Sequence, residues 1–396
     1  MITTPTRRAV VVGYARTPFA RYLGRFASLP ATELGAHAVA AALSRSGVSP
    51  DDVEIVLMGQ VLQAGAGQNP ARQTARGAGV PLHVPALTLN AVCLSGAEAV
   101  ADAARRIVLG EVDVAVAGGQ ESMSLAPHVW PGSRRGRRFG EVAMLDTMEV
   151  DGLSDAFERR SMGASTEEEN GRLGLGRAEQ DAFAASSHAR AAAAADVLAE
   201  EIAPLTTHGR DGAVVSADDG VRPDSTVETL GALRPAFAAG GTITAGNSSQ
   251  ITDGAAALVL MEESEARRRG LVPLARVEAA AMVAGPRLTL HSQPSAAILR
   301  ALERTPWSVA DLAAVEINEA FAAVAVQSTA DLGVDPALVN PHGGAIALGH
   351  PIGASGARIV GHLARRLAAL GPGSIGAAGI CGGGGQGSAL VLSAVD

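Results

Sequence analysis

One stretch of this chain occurs twice and decides the fold. Residues 95–107 read SGAEAVADAARRI, and residues 355–367, 260 positions further on, read SGARIVGHLARRL. A looser match relates residues 49–52 to residues 308–311 at nearly the same offset. A chance match over one Ala- and Arg-rich helix is the alternative, but two matches in register favour an internal duplication. We therefore predict two similar halves, in which Asn90 corresponds to His350 and Cys93 to Gly353.

Apolar runs alternate with Ala-rich helical runs around this repeat, which predicts layered α/β domains. Strands are predicted at 9–13, 53–58, 86–90, 112–117, 257–261, 314–317 and 374–380, and helices at 32–45, 95–109, 177–199, 294–304 and 355–370.

Residues 123–245 differ from both halves and indicate a large insertion or cap domain. The basic cluster Arg134–Arg138 is a solvated loop, an anion site or a subunit contact, and the acidic run 167–169 is predicted to be a solvated helix face.

Composition narrows the classes of protein. A length of 396 residues predicts two or three domains, and 47% hydrophobic with 18% charged residues is globular. The net charge of −8 argues against nucleic-acid binding. All 32 basic residues are Arg, which excludes Schiff-base, pyridoxal-phosphate and Walker-type mechanisms because each needs a lysine amine. We attribute the missing Lys to a GC-rich genome.

The two cysteines, Cys93 and Cys381, are too few for a disulfide framework or a Cys-rich metal site. No apolar stretch approaches the roughly 18 residues of a membrane helix, and the N-terminal apolar run is too short for a signal peptide. The sequence therefore predicts a cytoplasmic protein with two free thiols, no metal and no membrane partner.

Cys93 lies between a predicted strand and a predicted helix. Most lone cysteines are small buried apolar residues, and that is the simplest interpretation. The alternative is a nucleophile, because the N-terminus of a helix lowers the pKa of a nearby thiol and favours the thiolate. The small residues 95–97 would let a ligand approach the turn.

Three further side chains are candidates for chemistry. Cys381 follows a predicted strand and precedes a Gly-rich run whose bare amides could line an oxyanion hole. His350 opens a predicted helix in the repeat unit equivalent to that of Cys93. Asn318 stands at the end of a predicted strand, where a polar side chain needs a partner or a function. Pseudo-symmetry could bring these groups together in a nucleophile–base arrangement.

At this point the sequence resembles the thiolase family over nearly its whole length. Seven motifs occur in the order of that family: Cys93 before Ser95 and Gly96; GGQESMS at 118–124; QDAF at 180–183; GTITAGNSS at 241–249 with DGAA at 253–256; NEAF at 318–321; GHP at 349–351 with Gly353; and Cys381 with Gly383–Gly385.

The resemblance implies two repeated α/β halves stacked as five α-β-α-β-α layers, with a loop domain over the site. The implied domains are residues 1–122 with 246–272, the loop domain 123–245, and residues 273–396. Cys93 would be the acyl-accepting nucleophile, His350 its base and Cys381 a second acid/base. Asn318 would hold a water that forms one oxyanion hole with His350, and the amides of Cys93 and Gly383 would form the other.

The same resemblance implies coenzyme A as a substrate rather than a fixed cofactor, so no prosthetic group is expected. Five residues stand at positions that contact it: Arg222, Thr229, Ser249, Met162 and Phe321. The Arg134–Arg138 loop lies where related proteins carry a tetramerisation loop, so a homotetramer is expected first and a dimer second. Ser161, Gln250 and a longer segment at 282–296 depart from the family pattern.

The implied activity is acyl transfer, the reversible Claisen condensation of two acetyl-CoA to acetoacetyl-CoA and CoA. A degradative 3-ketoacyl-CoA thiolase with a longer acyl pocket is the nearest alternative, although Met162 and Phe321 suggest a small apolar pocket. A non-catalytic thiolase-like binding protein is the second alternative. A nucleotide-binding oxidoreductase has no support, because no Gly-x-Gly-x-x-Gly follows the first strand.

Overall fold

The computed structural model describes residues 7–207 and 212–395. Within them the strands are β1 Ala9–Arg16, β2 Ala20–Arg21, β3 Ile55–Gly59, β4 Ala86–Leu89, β5 Val114–Glu121, β6 His128–Val129, β7 Leu145–Asp146, β8 Leu205–Thr206, β9 Val214–Val215, β10 Thr252–Glu262, β11 Ala275–Ala284, β12 Leu312–Ile317, β13 Ile375–Gly382 and β14 Gln386–Ser393. The helices are α1 Ala31–Ser46, α2 Pro70–Gly77, α3 Ser95–Leu109, α4 Met162–Leu173, α5 Arg177–Ala193, α6 Ala195–Glu201, α7 Val227–Gly231, α8 Glu263–Arg268, α9 Gln293–Leu302, α10 Ala322–Leu332, α11 Ala345–Leu348 and α12 Ser355–Leu370.

The strand pairing repeats the duplication seen in the sequence. The main sheet runs β12-β13-β14-β11-β1-β10-β5-β3-β4. In one half β3 and β5 are parallel while β10 and β1 follow antiparallel, and in the other half β12 and β13 are parallel while β14 and β11 follow antiparallel. The halves join where β1 pairs with β11 over Ala9–Val11.

Three buried clusters define five layers. The central cluster packs α3 and α12 between the inner faces of the two half-sheets. A second cluster packs α1 and α2 on the outer face of the N-terminal half-sheet, and a third packs α9 and α10 on the outer face of the C-terminal one. The strands β1, β3, β5, β10 and β13 therefore bury both faces, which explains why they are so apolar. The thiolase-like α-β-α-β-α architecture predicted from the sequence is confirmed.

The two repeated helices touch each other through their glycines. A Cβ atom on Gly96 would lie 2.8 Å from the backbone nitrogen of Ala357, and one on Gly356 would lie 2.4 Å from the backbone nitrogen of Ala97. The small residues therefore serve close helix–helix packing. The expectation that they let a ligand approach the turn is wrong for Gly96, because its space is filled by α12.

Most predicted elements form with shifted ends, and α3 and α12 have the predicted bounds. The predicted helix 177–199 is interrupted at Ala194, whose φ of −98° and ψ of 18° separate α5 from α6. The strand β13 runs on to Gly382, so Cys381 lies inside it rather than after it.

The insertion between the halves contains α4 to α7 and two short hairpins. Its predicted boundaries at 123 and 245 stay a prediction. The acidic run is only partly a solvated face. Glu168 is exposed, but the Glu167 carboxylate accepts hydrogen bonds from the backbone of Thr242 and Ile243, at 2.7 and 2.8 Å, and Glu169 is buried.

Candidate active site

The loop that carries Cys93 is held in an unusual backbone conformation. Val92 has a φ of 53°, which is rare for a β-branched residue and marks a strained turn. The Ser95 hydroxyl accepts a hydrogen bond from the Ala91 amide at 2.9 Å and donates to the Val92 carbonyl at 2.6 Å. The Asn90 side chain accepts from the Val92 amide at 3.0 Å. These bonds hold the nucleophile candidate at the start of α3.

Two backbone amides, those of Cys93 and Gly383, face the Cys93 sulfur and lower the pKa of its thiol. Burial nevertheless outweighs them and raises that pKa to about 12. The expectation that the helix N-terminus makes a thiolate is therefore wrong for the resting site. Cys93 is partly buried, and this burial costs the thiolate more free energy than the two amides supply. The predicted pair of oxyanion-hole donors does meet at this sulfur.

Cys381 lies at the end of β13 and is buried. It packs with Leu290, Val324 and Phe321. Burial, and next the charge of a Cys93 thiolate, raise the pKa of Cys381 far above its usual range. The Cys381 thiol is therefore protonated in the resting site. The effect of a Cys93 charge on the pKa of Cys381 agrees with the predicted convergence of the two thiols, which stays a prediction.

His350 presents one ring nitrogen to the site and anchors the other. Its Nδ1 lies 2.6 Å from the Ser355 hydroxyl, which in turn lies 3.0 Å from the Pro351 carbonyl. A carbonyl only accepts, so both hydrogen bonds form when Nδ1–H donates to Ser355 and Ser355 donates to Pro351. The Nε2 atom then carries a lone pair. It is buried and has no hydrogen-bond partner among the described residues.

The imidazole of His350 is neutral. Burial and the positive charge of Arg358 lower its pKa to about 4. A neutral ring with a free Nε2 lone pair is the form that can accept a proton from a thiol.

Asn318 follows β12, and its side-chain Oδ1 and Nδ2 are both buried without a hydrogen-bond partner among the described residues. Such orphaned polar atoms are unusual and indicate a ligand or water partner. The neighbouring Glu319 is fully engaged: its carboxylate accepts from Ser187 at 2.7 Å, Asn340 at 2.8 Å and the Ile346 amide at 3.1 Å. Glu319 therefore supports the loop and leaves Asn318 free to face a ligand.

A largely apolar cavity of about 600 Å³ lies beside these groups. His350 lines it directly. Ile352 and Met123 line it and pack in a cluster with Cys93, while Met162 and Phe321 line it and pack with Cys381. The walls of the cavity that His350 lines therefore pack against both thiols.

Four of the five predicted coenzyme A contacts line this cavity, and they are Arg222, Ser249, Met162 and Phe321. Thr229 does not. Its hydroxyl and amide form a capping box with Thr226 at the start of α7. A contact between Thr229 and coenzyme A stays a prediction. Arg21 also lines the cavity, and no sequence signal identified it.

The departures from the family pattern have structural consequences. The Gln250 side-chain amide donates to the Gly220 carbonyl at 3.1 Å and the Ile346 carbonyl at 3.0 Å, and its backbone carbonyl accepts from the His350 amide at 3.0 Å. It ties the Arg222 segment to the His350 segment. Ser161 caps α4 through the Ala164 amide, at 3.2 Å.

Sequence reasoning missed the roles of Ser355 and Gln250. A signal existed for Ser355, because the repeat pairs it with Ser95 at the start of an equivalent helix. Among the residues described, no group of three His, Cys, Asp or Glu side chains is arranged to hold a metal ion. In the same part of the chain, no helix combines the length and apolar character needed to cross a bilayer.

Comparison with known proteins agrees with the architecture. The model of the thiolase N-terminal domain matches residues 9–264, and that of the thiolase C-terminal domain matches residues 271–394. The chain belongs to the thiolase family.

Similar relatives align over nearly their whole length. A probable acetyl-CoA acetyltransferase of Mycolicibacterium smegmatis is 51% identical over 387 residues, which cover 97% of this chain and 100% of the relative. Acetyl-CoA acetyltransferases of Paracoccus denitrificans and Shinella zoogloeoides are 48% and 45% identical, over 97% and 100% of this chain and 99% and 100% of each relative.

Proposed function

We propose that this protein is an acyltransferase that condenses two acetyl-CoA into acetoacetyl-CoA and CoA, reversibly, through an acetyl-Cys93 intermediate. The observation that carries the proposal is the free Nε2 of a neutral His350, lining the cavity whose walls pack on both thiols. The names of the relatives support acetyl-CoA as the substrate. We expect no prosthetic group, because acyl transfer between thiols needs none.

In the first half-reaction, the Cys93 thiol gives its proton to Nε2 of His350 as the sulfur attacks the thioester carbonyl of acetyl-CoA. The amides of Cys93 and Gly383, which face this sulfur, would stabilise the resulting oxyanion. The carbon–sulfur bond to coenzyme A then breaks. The departing thiolate takes the proton of Cys381, whose raised pKa keeps it protonated at rest. The products are free CoA, acetyl-Cys93, a Cys381 thiolate and an imidazolium.

In the second half-reaction, the Cys381 thiolate removes a methyl proton from a second acetyl-CoA. His350, now carrying a proton on Nε2, and a water held by the orphaned amide of Asn318 would stabilise the enolate oxygen. The enolate carbon attacks the acetyl group on Cys93, and the Cys93–acyl bond breaks. Cys93 recovers its proton from His350, which leaves all three groups as they began.

Coenzyme A binding would rest on arginine, hydroxyl and backbone groups, because the chain has no Lys. Arg222 and Ser249 line the cavity and would meet the polar part of the ligand, while Met162 and Phe321 would contact its apolar arm. Arg21 is a second guanidinium at the same cavity.

We also propose a homotetramer. The loop between β6 and β7 carries Arg134–Arg138 and a Phe139 that is 92% exposed, which favours a contact with another subunit. Mass photometry of the intact protein and of a Phe139→Ser variant tests this. A dimeric or monomeric wild-type protein would contradict it.

Intact-mass spectrometry after exposure to acetyl-CoA tests the activity. The wild-type protein should gain one acetyl group, and Cys93→Ala should gain none. A wild-type protein with neither adduct nor turnover would instead be a non-catalytic binding protein. Thiolysis rates for acetoacetyl-CoA and longer 3-ketoacyl-CoAs test the acyl length. A strong preference for the longer substrates would favour the degradative alternative.

A further inference from the structure

Glu121 is a buried carboxylate that the proposed reaction does not use. It is the last residue of β5 and is 0% exposed. Its Oε2 accepts from the amides of Val61 and Gly353, both at 3.0 Å, and its Oε1 accepts from the Leu62 amide at 3.1 Å. Among the described residues, no arginine or histidine forms an ion pair with it, so backbone amides supply its stabilisation.

A chain of hydrogen bonds connects this carboxylate to the Cys93 loop. The carbonyl of Val61, whose amide donates to Glu121, accepts from the Asn90 side chain at 3.4 Å. Asn90 in turn accepts from the amide of Val92, the positive-φ residue before Cys93. Val61 and Leu62 also pack in one cluster with Val92 and Cys93. The position of Cys93 therefore depends on the residues that Glu121 holds.

The same carboxylate also contacts the turn that follows His350. Gly353 lies between His350 and Ser355, the residues whose hydrogen bond orients the imidazole. A Cβ on Gly353 would lie 2.8 Å from Glu121 Oε2 and 3.0 Å from the Cα of Gln60, so the turn sits directly on this carboxylate. Oε2 of Glu121 thus accepts hydrogen bonds both from the segment beside Cys93 and from the turn that follows His350.

The internal repeat gives this contact a counterpart. At the offset of 260 residues Glu121 corresponds to Cys381, and Gly353 corresponds to Cys93. In one half the strand end carries the thiol that is coupled to Cys93, and in the other half it carries the carboxylate that binds Gly353. At the same position of the duplicated fold, one half therefore carries a reactive thiol and the other half carries a carboxylate that supports the reactive residues.

We propose that Glu121 is a positioning residue, and that its carboxylate holds the Cys93 loop and the His350 turn in the relative positions that the reaction needs. This inference rests on the proposed acyl transfer. A carboxylate suits the position because three amide donors converge there and an ionised carboxylate only accepts. A glutamine has one carbonyl oxygen, and its NH2 group would oppose at least one of the three N–H donors.

The test is single-turnover acetylation of Cys93 in Glu121→Gln. Burial raises the pKa of the Glu121 carboxyl to about 7, so the assay uses a pH of about 8, at which the wild-type carboxylate is ionised. We expect the acetylation rate to fall about 100-fold, because small misplacements of reacting groups cost rate steeply. The apparent binding constant for acetyl-CoA should change less than about threefold, because the residues Glu121 touches do not line the coenzyme A cavity. A purely structural defect would weaken binding as well.

The matched control is Glu54→Gln. Glu54 holds the opposite end of the same strand, where its carboxylate accepts from the amides of Asp113 and Val114. Its acetylation rate should equal that of the wild-type protein. Where Glu121→Gln does not fold, Glu121→Asp keeps the charge but shortens the reach, and should also lose rate with little loss of binding.

The outcomes separate the two proposals. A folded Glu121→Gln that acetylates as fast as wild type, or that loses rate and binding together, overturns the positioning role while acyl transfer stands. Unfolding of both Glu121 variants would make Glu121 a stability residue and overturns the positioning role as well. No acetylation of the wild-type protein removes the proposed function, and the positioning role with it.

Discussion

The Nδ1 atom of His350 lies 2.6 Å from the hydroxyl of Ser355, and this contact determines which ring nitrogen faces the cavity. The Ser355 hydroxyl donates its own hydrogen to the Pro351 carbonyl and therefore accepts from the ring, so the proton of the neutral ring stays on Nδ1. The Nε2 lone pair is therefore available to accept a proton.

Replacing Ser355 by Ala should slow the acetylation of Cys93. Without the hydroxyl acceptor the ring loses its fixed orientation and tautomer, and such supporting contacts are worth about 10- to 100-fold in activity. The measurement is the single-turnover rate. Ser46→Ala is the control, because Ser46 also donates to a backbone carbonyl, that of Leu43 at 2.9 Å, but lies in α1 away from the site. Equal rates for both variants would contradict the role of Ser355.

The resting Cys93 should behave as a protonated thiol. Burial raises its pKa to about 12, so the thiolate fraction should grow about tenfold for each pH unit between pH 7 and 9. Alkylation by iodoacetamide of the Cys381→Ser variant, in which Cys93 is the one thiol, measures this. Cys93→Ser serves as the control for Cys381. A rate that levels off below about pH 9 would show a thiol of ordinary or lowered pKa.

Arg222→Ala should raise the KM for acetyl-CoA about tenfold and change kcat little, because the lost guanidinium would bind a remote phosphate in ground and transition states alike. The wild-type KM should also rise with salt while that of the variant rises less. The matched control is Arg76→Ala, which removes an exposed guanidinium on α2. An unchanged KM would remove Arg222 from the coenzyme A site.

Gln250→Ala should destabilise the fold and raise the KM. Its side-chain amide satisfies the carbonyls of Gly220 and Ile346, and leaving buried carbonyls unpaired costs about 1–3 kcal/mol. Urea unfolding and steady-state kinetics measure the two effects. Gln73→Ala is the control, because that exposed amide also donates to two carbonyls, those of Ala66 and Gln68. A Gln250 variant no less stable than the control would contradict the link between the two segments.

His291 should contribute to acid sensitivity. Burial lowers its pKa to about 4, and its Nε2 bonds Asn170 at 2.7 Å. A histidine with a lowered folded-state pKa stabilises the fold above its ordinary pKa of 6.5, and that stability is lost as the pH falls from 6.5 towards 4. Between pH 6.5 and 5 the loss is roughly 2 kcal/mol, at about 1.4 kcal/mol per unit.

His291→Gln keeps a hydrogen-bonding side chain but cannot titrate, so it should lose about 2 kcal/mol less than wild type between pH 7.5 and 5. Urea midpoints at both pH values measure the difference, and the exposed His83→Gln is the control. An equal loss in His291→Gln and wild type would show that other groups carry the acid sensitivity.

The local sequence pattern was sufficient to predict several helices and strands. The helix α3 ends where predicted because Gly110, with a φ of 77°, forms a left-handed cap that only glycine adopts easily. By contrast β11 went unpredicted, because its Ala-rich sequence ARVEAAAMVA has weak strand propensity. It forms a strand because β1 and β14 pair with it on both sides.

In the candidate site too, some residues could be predicted from the local sequence and others could not. Cys93, His350, Cys381 and Asn318 were predicted from sequence, because each stands in a short motif at the end of an element. Ser355, Gln250 and Glu121 were not assigned a role, because each acts through contacts with residues distant in the chain or across a turn.

The amino-acid sequence by itself determined the duplication, the family and the chemical groups at the site, since these depend on residue identity and order along the chain. Only the tertiary structure decided the protonation states of Cys93, Cys381 and His350. A helix N-terminus alone would favour a thiolate at Cys93, but burial in the folded site disfavours the charged form of all three groups. Burial raises the pKa of both thiols and lowers that of the imidazole, and such burial arises only when both halves of the fold pack together.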